Sequence, residues 1–229
     1  GHLAAARYDE QARRAIRAYA LFVRALLGDR DTAAARALFA ESDERSIETQ
    51  GWLLFVLTGD PASSAEVAEI RRDLGNRAAE EAGTAQFTEA YGEEGGNLIL
   101  ASDRRSDAVA LEALIVDQPA NDLIPKLVRG LLDHRTAGRW GSTQENAFVL
   151  LALERYFRAY EGVTPDFVAR LWLGEDYLGE SAYRGRTADR WRLTVPVDRL
   201  SAEGGEVIVA KDGPGRLYYR LGLRYAPKD

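Results

Sequence analysis

The sequence contains no cysteine, no methionine and only two histidines in 229 residues. The absence of cysteine excludes disulfides, thiolate metal sites and a cysteine nucleophile from this chain. Besides His2 there is only His134, and a single histidine supports a metal site only if several carboxylates join it. No cofactor and no metal is therefore predicted. His134 lies on a predicted helix and is interpreted as a surface or partly buried residue.

Long apolar runs and basic clusters are also absent. No apolar run approaches the roughly 20 residues that span a bilayer, so no membrane insertion of this chain is predicted. The formal net charge is −6, and acidic residues are interspersed among the arginines, which argues against nucleic acid as a partner. Gly1-His2, in place of a starting methionine, is typical of a piece expressed apart from a longer protein.

The composition is that of a folded protein, with 46% hydrophobic and 29% charged residues. From about residue 10 to 160 the apolar residues recur at three-and-four spacing, which predicts helices. From about Thr164 the sequence is β-prone, with glycine-rich turns. We therefore predict a mainly α chain of α/α-toroid-like helical hairpins over 1–162, followed by a smaller, incomplete β-sandwich-like segment over 163–229.

The individual elements follow from periodicity, capping residues and breakers. Helices are predicted over 13–27, 33–40, 46–58, 65–82 and 106–116, from Asp122 through Leu132, and from Ser142 or Thr143 to Tyr160. Ser63 or Ser64 is predicted to cap the helix over 65–82, and Asp122 is predicted to cap the helix that follows it. Strands are predicted over 167–173, 191–197, 206–211 and 216–225.

The most unusual segment runs from Gly138 to Asn146. Two glycines flank Arg139-Trp140, so the backbone there can turn tightly or take a positive φ. Ser142 and Thr143 can cap the following helix, and Glu145 is placed to close a capping box with Ser142. The pattern predicts a capped helix start with an aromatic plug and no chemistry.

Several acidic pairs are candidates for acid–base chemistry, namely Glu80-Glu81, Glu93-Glu94, and Asp103 with Asp107. Glycosidases need two carboxylates about 5–10 Å apart, and Glu93-Glu94, in a glycine-rich loop, suits that need best. Adjacent acids on a loop are more typical of a solvated surface. No GxSxG elbow, P-loop or dinucleotide fingerprint is present. No catalytic residue is predicted, and the chain is predicted not to be an enzyme.

The segment from Gly138 to Leu153 resembles the late helix of the thioester domain in the α2-macroglobulin and complement superfamily, in particular its bacterial branch. The stretches 102–114 and 125–132 resemble the preceding helices, and 215–227 resembles the β domain that follows. The resemblance covers nearly the whole chain, more loosely before residue 90. It identifies as structural motif residues of the family Gly138, Trp140, Gly141, Ser142, Thr143, Gln144, Tyr218 and Tyr219.

The resemblance implies that the intact protein is a broad-spectrum protease inhibitor. In that family a protease cuts a bait region, the molecule rearranges and the protease is trapped, and many members also carry an internal Cys-to-Gln thioester. The Cys-x-Glu-Gln motif is absent here, so this chain forms no covalent bond to a protease. The resemblance implies a scaffolding piece of a chain on the order of 1,000 residues or more. Its partners would be proteases and neighbouring domains, and its location periplasmic or extracellular, in some members with a lipid anchor.

Two other functions fit the predicted helical hairpins. One is an α/α-toroid enzyme of the terpene cyclase or glycoside hydrolase type, because aromatic-glycine segments such as Arg139-Trp140-Gly141 occur in cyclase repeats. The sequence lacks the Asp-x-Asp-Asp cluster that such a cyclase needs. The other is a helical-repeat scaffold that binds a protein partner, since 107–114 resembles 146–153 about 39 residues later.

Overall fold

The computed structural model describes residues 10–81, 83–89, 100–187, 189–196, 199 and 205–223. The chain divides into two compact units, Gly1–Tyr156 and Phe157–Asp229. The first unit is helical with one short hairpin, and the second contains a three-stranded sheet. The structure is thus mainly α followed by a small β segment, as the sequence predicts. Closure of the helices into a toroid and the domain boundary near residue 162 stay predictions.

The described helices are α1 (Glu10–Leu26), α2 (Thr32–Phe39), α3 (Ile47–Leu57), α4 (Ser64–Arg77), α5 (Asp103–Asp117), α6 (Leu123–Asp133) and α7 (Thr143–Tyr160). A 3-10 turn, Pro61–Ser63, precedes α4. The strands are β1 (Ala79–Glu81), β2 (Thr84–Gln86), β3 (Asp166–Leu173), β4 (Asp176–Arg184) and β5 (Val207–Asp212). Among the described helices, none is both long and apolar enough to cross a membrane.

The helix α3 lies at the centre of the first unit. All eleven of its residues are buried, and it packs against α1, α2, α4 and α5. A helix that is buried on all sides needs neighbours that cover every face, and these four helices supply them. The helix begins at Ser46, whose hydroxyl accepts a hydrogen bond from the backbone N–H of Thr49 at 3.1 Å.

An aromatic cluster joins α7 to α1 and α3. The Tyr19 ring centroid lies 5.1 Å from that of Trp52 and 6.0 Å from that of Phe148, and all the ring pairs are tilted. Tilted and edge-to-face contacts of this kind suit the quadrupoles of aromatic rings. The first half of α7 is therefore fixed against the two earlier helices.

Ser63 and Asp122 occupy the N-cap positions of α4 and α6, as predicted, but neither side chain makes a cap hydrogen bond. The hydroxyl of Ser63 donates to Asp60 at 2.6 Å and makes no cap bond to α4, because a 3-10 turn begins one residue after Asp60. Ahead of α6, the side chain of Asn121 accepts from Leu123 N–H at 2.9 Å, whereas the Asp122 side chain makes no cap bond. Asp60 instead caps the 3-10 turn, and Asn121 supplies the side-chain cap bond of α6.

The predicted helix over 65–82 is wrong at its end. The helix α4 stops before Ala78, which is extended, and the next residues pair as an antiparallel hairpin of β1 and β2. Tertiary pairing overrides the helix propensity of the Ala-Glu sequence there. The turn contains Gly83 at φ +92°, and β2 lies under α6, where a Cβ on Gly130 would collide with the backbone oxygen of Ala85.

The second unit is built on β3, the middle strand of the sheet. Both β4 and β5 pair with it antiparallel, and the register against β4 shifts between Leu171 and Trp172. After β5 the chain turns at Gly213, which has φ +112° and lies so close to the backbone of Asp166 that a side chain would not fit. The predicted strands over 167–173 and 206–211 are confirmed.

The other β predictions need correction. The strands predicted over 191–197 and 216–225 are not formed by their described residues, 191–196 and 216–223, because a strand exists only where a neighbour completes its hydrogen-bond ladder. The strand β4 was not predicted, since acids and Gly179 interrupt its alternation. The described residues of this unit form one sheet, and the second, facing sheet of a β-sandwich is not among them.

The contact between α3 and α5 leads to a first prediction. A Cβ on Gly51 would lie 2.7 Å from Cγ1 and 3.2 Å from the carbonyl oxygen of Val109, and neither atom moves freely. We expect Gly51→Ala to lower the free energy of unfolding by about 1–3 kcal/mol through overpacking. The control is Gly75→Ala in α4, where nothing lies within 4 Å and Ala should stabilise the helix by up to about 1 kcal/mol. Urea unfolding measures both, and stabilisation by Gly51→Ala would contradict the close approach.

Candidate functional site

The predicted motif begins with a tight reversal of the chain after α6. Thr136 and Arg139 exchange two backbone hydrogen bonds, 2.9 Å and 3.2 Å, around Ala137 at φ +51° and Gly138 at φ +83°. Two positive φ angles in succession are the signature of a type I′ turn, which strongly favours glycine at its second central position. The reversal aims the next residue, Trp140, back at α6.

The Trp140 side chain is the plug that the sequence predicts. It is 6% exposed, and its Nε1–H donates to the carbonyl oxygen of Leu131 in α6 at 2.8 Å. Its backbone N–H donates to Asn146 Oδ1 at 3.2 Å, and Asn146 Nδ2 donates to its carbonyl at 3.0 Å. The indole thus binds the last turn of α6, and the backbone of Trp140 binds the first turn of α7.

The start of α7 is capped by Ser142, whose hydroxyl accepts from the backbone N–H of Glu145 at 3.1 Å. The Glu145 carboxylate lies beside Gly141, where a Cβ would be 3.0 Å from its Oε2. Thr143 and Gln144 form the first turn of the helix. All six motif residues from Gly138 to Gln144 therefore shape one helix start, and Ser142 rather than Thr143 is the cap.

An open cleft of about 460 Å³ lies next to this helix start. It is bounded by the first turns of α5 and α7, the end of α6 and the end of β2. Its lining residues are Gln86, Ser102, Asp103, Arg104, His134, Trp140, Gly141 and Glu145. The cleft therefore combines two acids, an arginine and a histidine around the edge of a buried indole.

Arg104 is the centre of the polar contacts in this cleft. Its Nη1 lies 2.8 Å from Nδ1 of His134 and its Nη2 lies 3.3 Å from Oε1 of Gln86. The same Nδ1 lies 2.7 Å from the carbonyl oxygen of Gly130. A guanidinium only donates, so Nδ1 accepts from Arg104 when it carries no proton and donates to Gly130 when it does. The two contacts are alternatives, and the ring tautomer of His134 decides between them.

Behind Arg104 lies Asp107, a fully buried carboxyl. Its Oδ1 accepts the backbone N–H of Phe87 at 2.6 Å, and its Oδ2 lies 3.2 Å from Nη1 of Arg104 without the alignment of a hydrogen bond. Burial in a poorly solvated environment raises the pKa of Asp107 from 3.8 to about 7, against the opposing effects of Arg104 and of the Phe87 N–H. The carboxyl can therefore change its charge near neutral pH.

Directly after Arg104 in the chain, Arg105 forms a buried ion pair that joins α5 to α3. Arg105 donates through Nε and Nη2 to the two carboxylate oxygens of Glu48, both at 2.6 Å, and both side chains are almost completely buried. Its guanidinium carbon lies 5.5 Å from the ring centroid of Phe148. This is the bidentate geometry in which a carboxylate and a guanidinium interact most strongly.

The other predicted candidates do not assemble into one site. Glu80 and Glu81 are exposed on β1, and Glu80 pairs with Lys126. Asp103 and Asp107 face different partners, and His134 lies at the exposed end of α6, as interpreted from the sequence. Glu93-Glu94 lies outside the described residues. Tyr218 and Tyr219 belong to the second unit, where both are exposed.

Sequence reasoning missed the roles of Arg104, Arg105 and Glu48. The available signal was charge inside a helix that is otherwise apolar, because α5 and α3 are buried around nearly their whole circumference. Charged residues in such helices need partners. The identity of those partners depends on tertiary contacts 57 residues apart in the chain, which no local pattern encodes.

Comparison with known proteins gives partial matches to two much longer chains. The chain is 31% identical over 126 residues to an α2-macroglobulin homolog of Nostoc sp., which covers 55% of this chain and 7% of the relative. It is 21% identical over 243 aligned positions to circularly permutated Ras protein 2 of Dictyostelium discoideum, which covers 80% of this chain and 6% of that relative. No protein-family model matches the chain. The chain therefore corresponds to a small fraction of each relative.

The buried carboxyl of Asp107 leads to a second prediction. Between its ordinary pKa of 3.8 and its folded value of about 7, the folded protein binds a proton that the unfolded chain does not. Stability attributable to Asp107 is then greatest at low pH and falls as pH rises through this window, by up to about 1.4 kcal/mol per pH unit, with no further loss above it. Asp107→Asn cannot titrate, so the difference in unfolding free energy between the two proteins should vary from pH 4.5 to 8. A constant difference would show that Asp107 titrates normally.

Proposed function

We propose that this chain is a scaffolding module of an α2-macroglobulin-like protein whose intact form inhibits proteases by enclosing them. The observation that carries the proposal is the 31% identity over 126 residues with the α2-macroglobulin homolog of Nostoc sp.. The order of the motifs, from the stretch at Ser102 through Trp140 to Tyr218, resembles the same family and supports it.

The geometry of the helix start at α7 suits a structural role rather than a catalytic one. The hydroxyls of Ser102 and Ser142 accept backbone hydrogen bonds as helix caps, and the Trp140 indole is engaged with α6. Polar groups used in this way hold the helices in register. The proposed module is accordingly not an enzyme and needs no cofactor.

Under this proposal the partners are other domains of the same long protein and, through it, proteases. A thioester, if the intact protein has one, would come from a part of the protein outside this chain, because the chain has no cysteine. The proposed location is periplasmic or extracellular, in some bacterial members of the family with a lipid anchor. The match covers 7% of the Nostoc relative, which is the size expected of a single module in a multidomain inhibitor.

The alternative functions find less support. An α/α-toroid enzyme would need paired acids or an aromatic-lined pocket, and the described acids face separate partners. A helical-repeat scaffold remains compatible with the helical hairpins but has no relative in its favour. The Dictyostelium relative is named for Ras, yet this sequence contains no GxxxxGK[ST] phosphate-binding motif, so we propose no nucleotide binding.

The proposal is tested on the full-length protein. Incubation with an active protease should change its migration on a native gel, and the protease should keep activity on a small peptide while losing it on a large protein substrate, because a cage excludes the large one. The control is the same protease with its active site blocked, which cannot cut and should not be enclosed. A protease that keeps full activity on the large substrate, with no change in migration, would refute the proposal. Incorporation of a labelled amine separately decides whether a thioester is present.

A further inference from the structure

Arg104 lies where three elements of the helical unit meet. It belongs to the first turn of α5, and its guanidinium contacts His134 at the end of α6 and Gln86 at the end of β2. Its side chain is only 12% exposed. Because a guanidinium can only donate, the position of Arg104 depends on the acceptors that surround it.

The acceptor behind Arg104 is one that a proton can remove. Asp107 uses Oδ1 for the backbone N–H of Phe87 at 2.6 Å, whereas its buried Oδ2 lies 3.2 Å from Nη1 of Arg104 and accepts a hydrogen bond from no described residue. A proton on Oδ2 would remove the negative charge and place a donor against a donor. Burial raises the pKa of Asp107 to about 7, so this change falls near neutral pH.

The acceptor at the end of α6 can be lost in the same way. Nδ1 of His134 lies 2.8 Å from Nη1 of Arg104 and 2.7 Å from the carbonyl oxygen of Gly130. A ring that carries protons on both nitrogens keeps the contact with Gly130 and repels the guanidinium. His134 is the C-cap residue of α6, where the helix dipole stabilises a positive charge. The protonated ring therefore has a favourable place that excludes Arg104.

A different acceptor lies across the cleft. Glu145, in the first turn of α7, lines the same cleft as Arg104 and His134. Asp103 also lines it, but successive residues of a helix do not face each other, and its carboxylate accepts the backbone N–H of Glu89 at 2.9 Å. Glu145 is therefore the carboxylate to which a released Arg104 would turn.

The other charged groups around α5 are engaged elsewhere. The elements packed against α5 are α3, α6 and β2, and β2 contains no charged residue. The contacts of the charged groups on the two helices are Glu48 with Arg105, Lys126 with Glu80, and Arg129 with the carbonyl oxygen of Gly83. Asp133 and Arg135 flank His134 at the exposed end of α6. The charges that act on Asp107 are Arg104, which favours its ionisation, and Asp103, which opposes it.

We propose that Arg104 is a pH-dependent latch, which joins α5 to the end of α6 while Asp107 is ionised and His134 is neutral, and which turns to Glu145 at the start of α7 once both have taken up protons from solvent. The cleft is then open above neutral pH and bridged by an ion pair below it. In each state every charged group of the latch has a partner, as a two-state element requires. The latch does not depend on whether the chain serves in a protease inhibitor.

The first test is an NMR titration of the isotope-labelled 229-residue chain from about pH 5.5 to about pH 8.5. The guanidinium carbon and nitrogen resonances of Arg104, assigned with Arg104→Lys, should move between two positions with a midpoint within about one unit of 7. Asp107→Asn cannot ionise and should keep Arg104 near its low-pH position throughout. The matched control is Glu112→Gln, which removes the other α5 carboxyl whose pKa is raised by burial and should leave the midpoint unchanged.

The second test measures the pairing across the cleft and does not need Asp107→Asn to fold. In a double-mutant cycle with Arg104→Gln and Glu145→Gln, coupling should raise the folding equilibrium constant at least about threefold at the low pH and vanish at the high pH. The exposed pair of Arg17 and Glu41 should show the same coupling at both.

Three results would overturn the proposal. The first is a wild-type Arg104 whose resonances do not move with pH. The second is a folded Asp107→Asn that shows the wild-type titration of Arg104. The third is a coupling between Arg104 and Glu145 that is equal at the two pH values. Each result bears on the latch alone, because none of these measurements involves a protease.

Discussion

The ion pair between Glu48 and Arg105 is the contact on which the helical unit depends. Moving a carboxylate and a guanidinium out of water costs several kcal/mol for each ion, and only a well-aligned pair offsets that cost. Two hydrogen bonds of 2.6 Å provide the alignment, and they permit a single register of α3 against α5. One turn further along both helices, Gly51 meets Val109. Because both contacts advance in the same chain direction, α3 and α5 run parallel, as alternate helices do in stacked hairpins.

The first turns of α5 connect this pair to the remaining elements of the unit. Asp103 accepts the backbone N–H of Glu89, Arg104 reaches His134 at the end of α6, and Asp107 accepts the backbone N–H of Phe87 just after β2. Neighbouring residues of one helix thus hold three different parts of the chain. The cleft and Trp140 lie next to these contacts, so their geometry depends on the position of α5.

Local patterns predicted the helices well and the tertiary contacts poorly. The apolar spacing from α1 to α7 and the glycines around Trp140 carry their own signals, and the structure forms a helix in each predicted place. The hairpin of β1 and β2 and the strand β4 were missed because each depends on pairing rather than on propensity. Residues 216–223 show the converse, since their alternation predicts a strand that the structure does not form there. Buried charges such as Glu48 and Asp107 are visible in the sequence, but their partners are not.

A module that acts by shape requires a helical unit with one fixed arrangement, and the buried pair is the contact that would enforce it. The most direct measurement is a double-mutant cycle on the free energy of unfolding with Glu48→Leu, Arg105→Met and the double variant. Each single variant leaves a buried charge without its partner and should lose about 3–5 kcal/mol, while the double variant should lose much less than the sum. The exposed pair of Arg17 and Glu41, at 2.6 Å, serves as the control and should couple by about 1 kcal/mol or less. Additive losses at Glu48 and Arg105 would contradict the account.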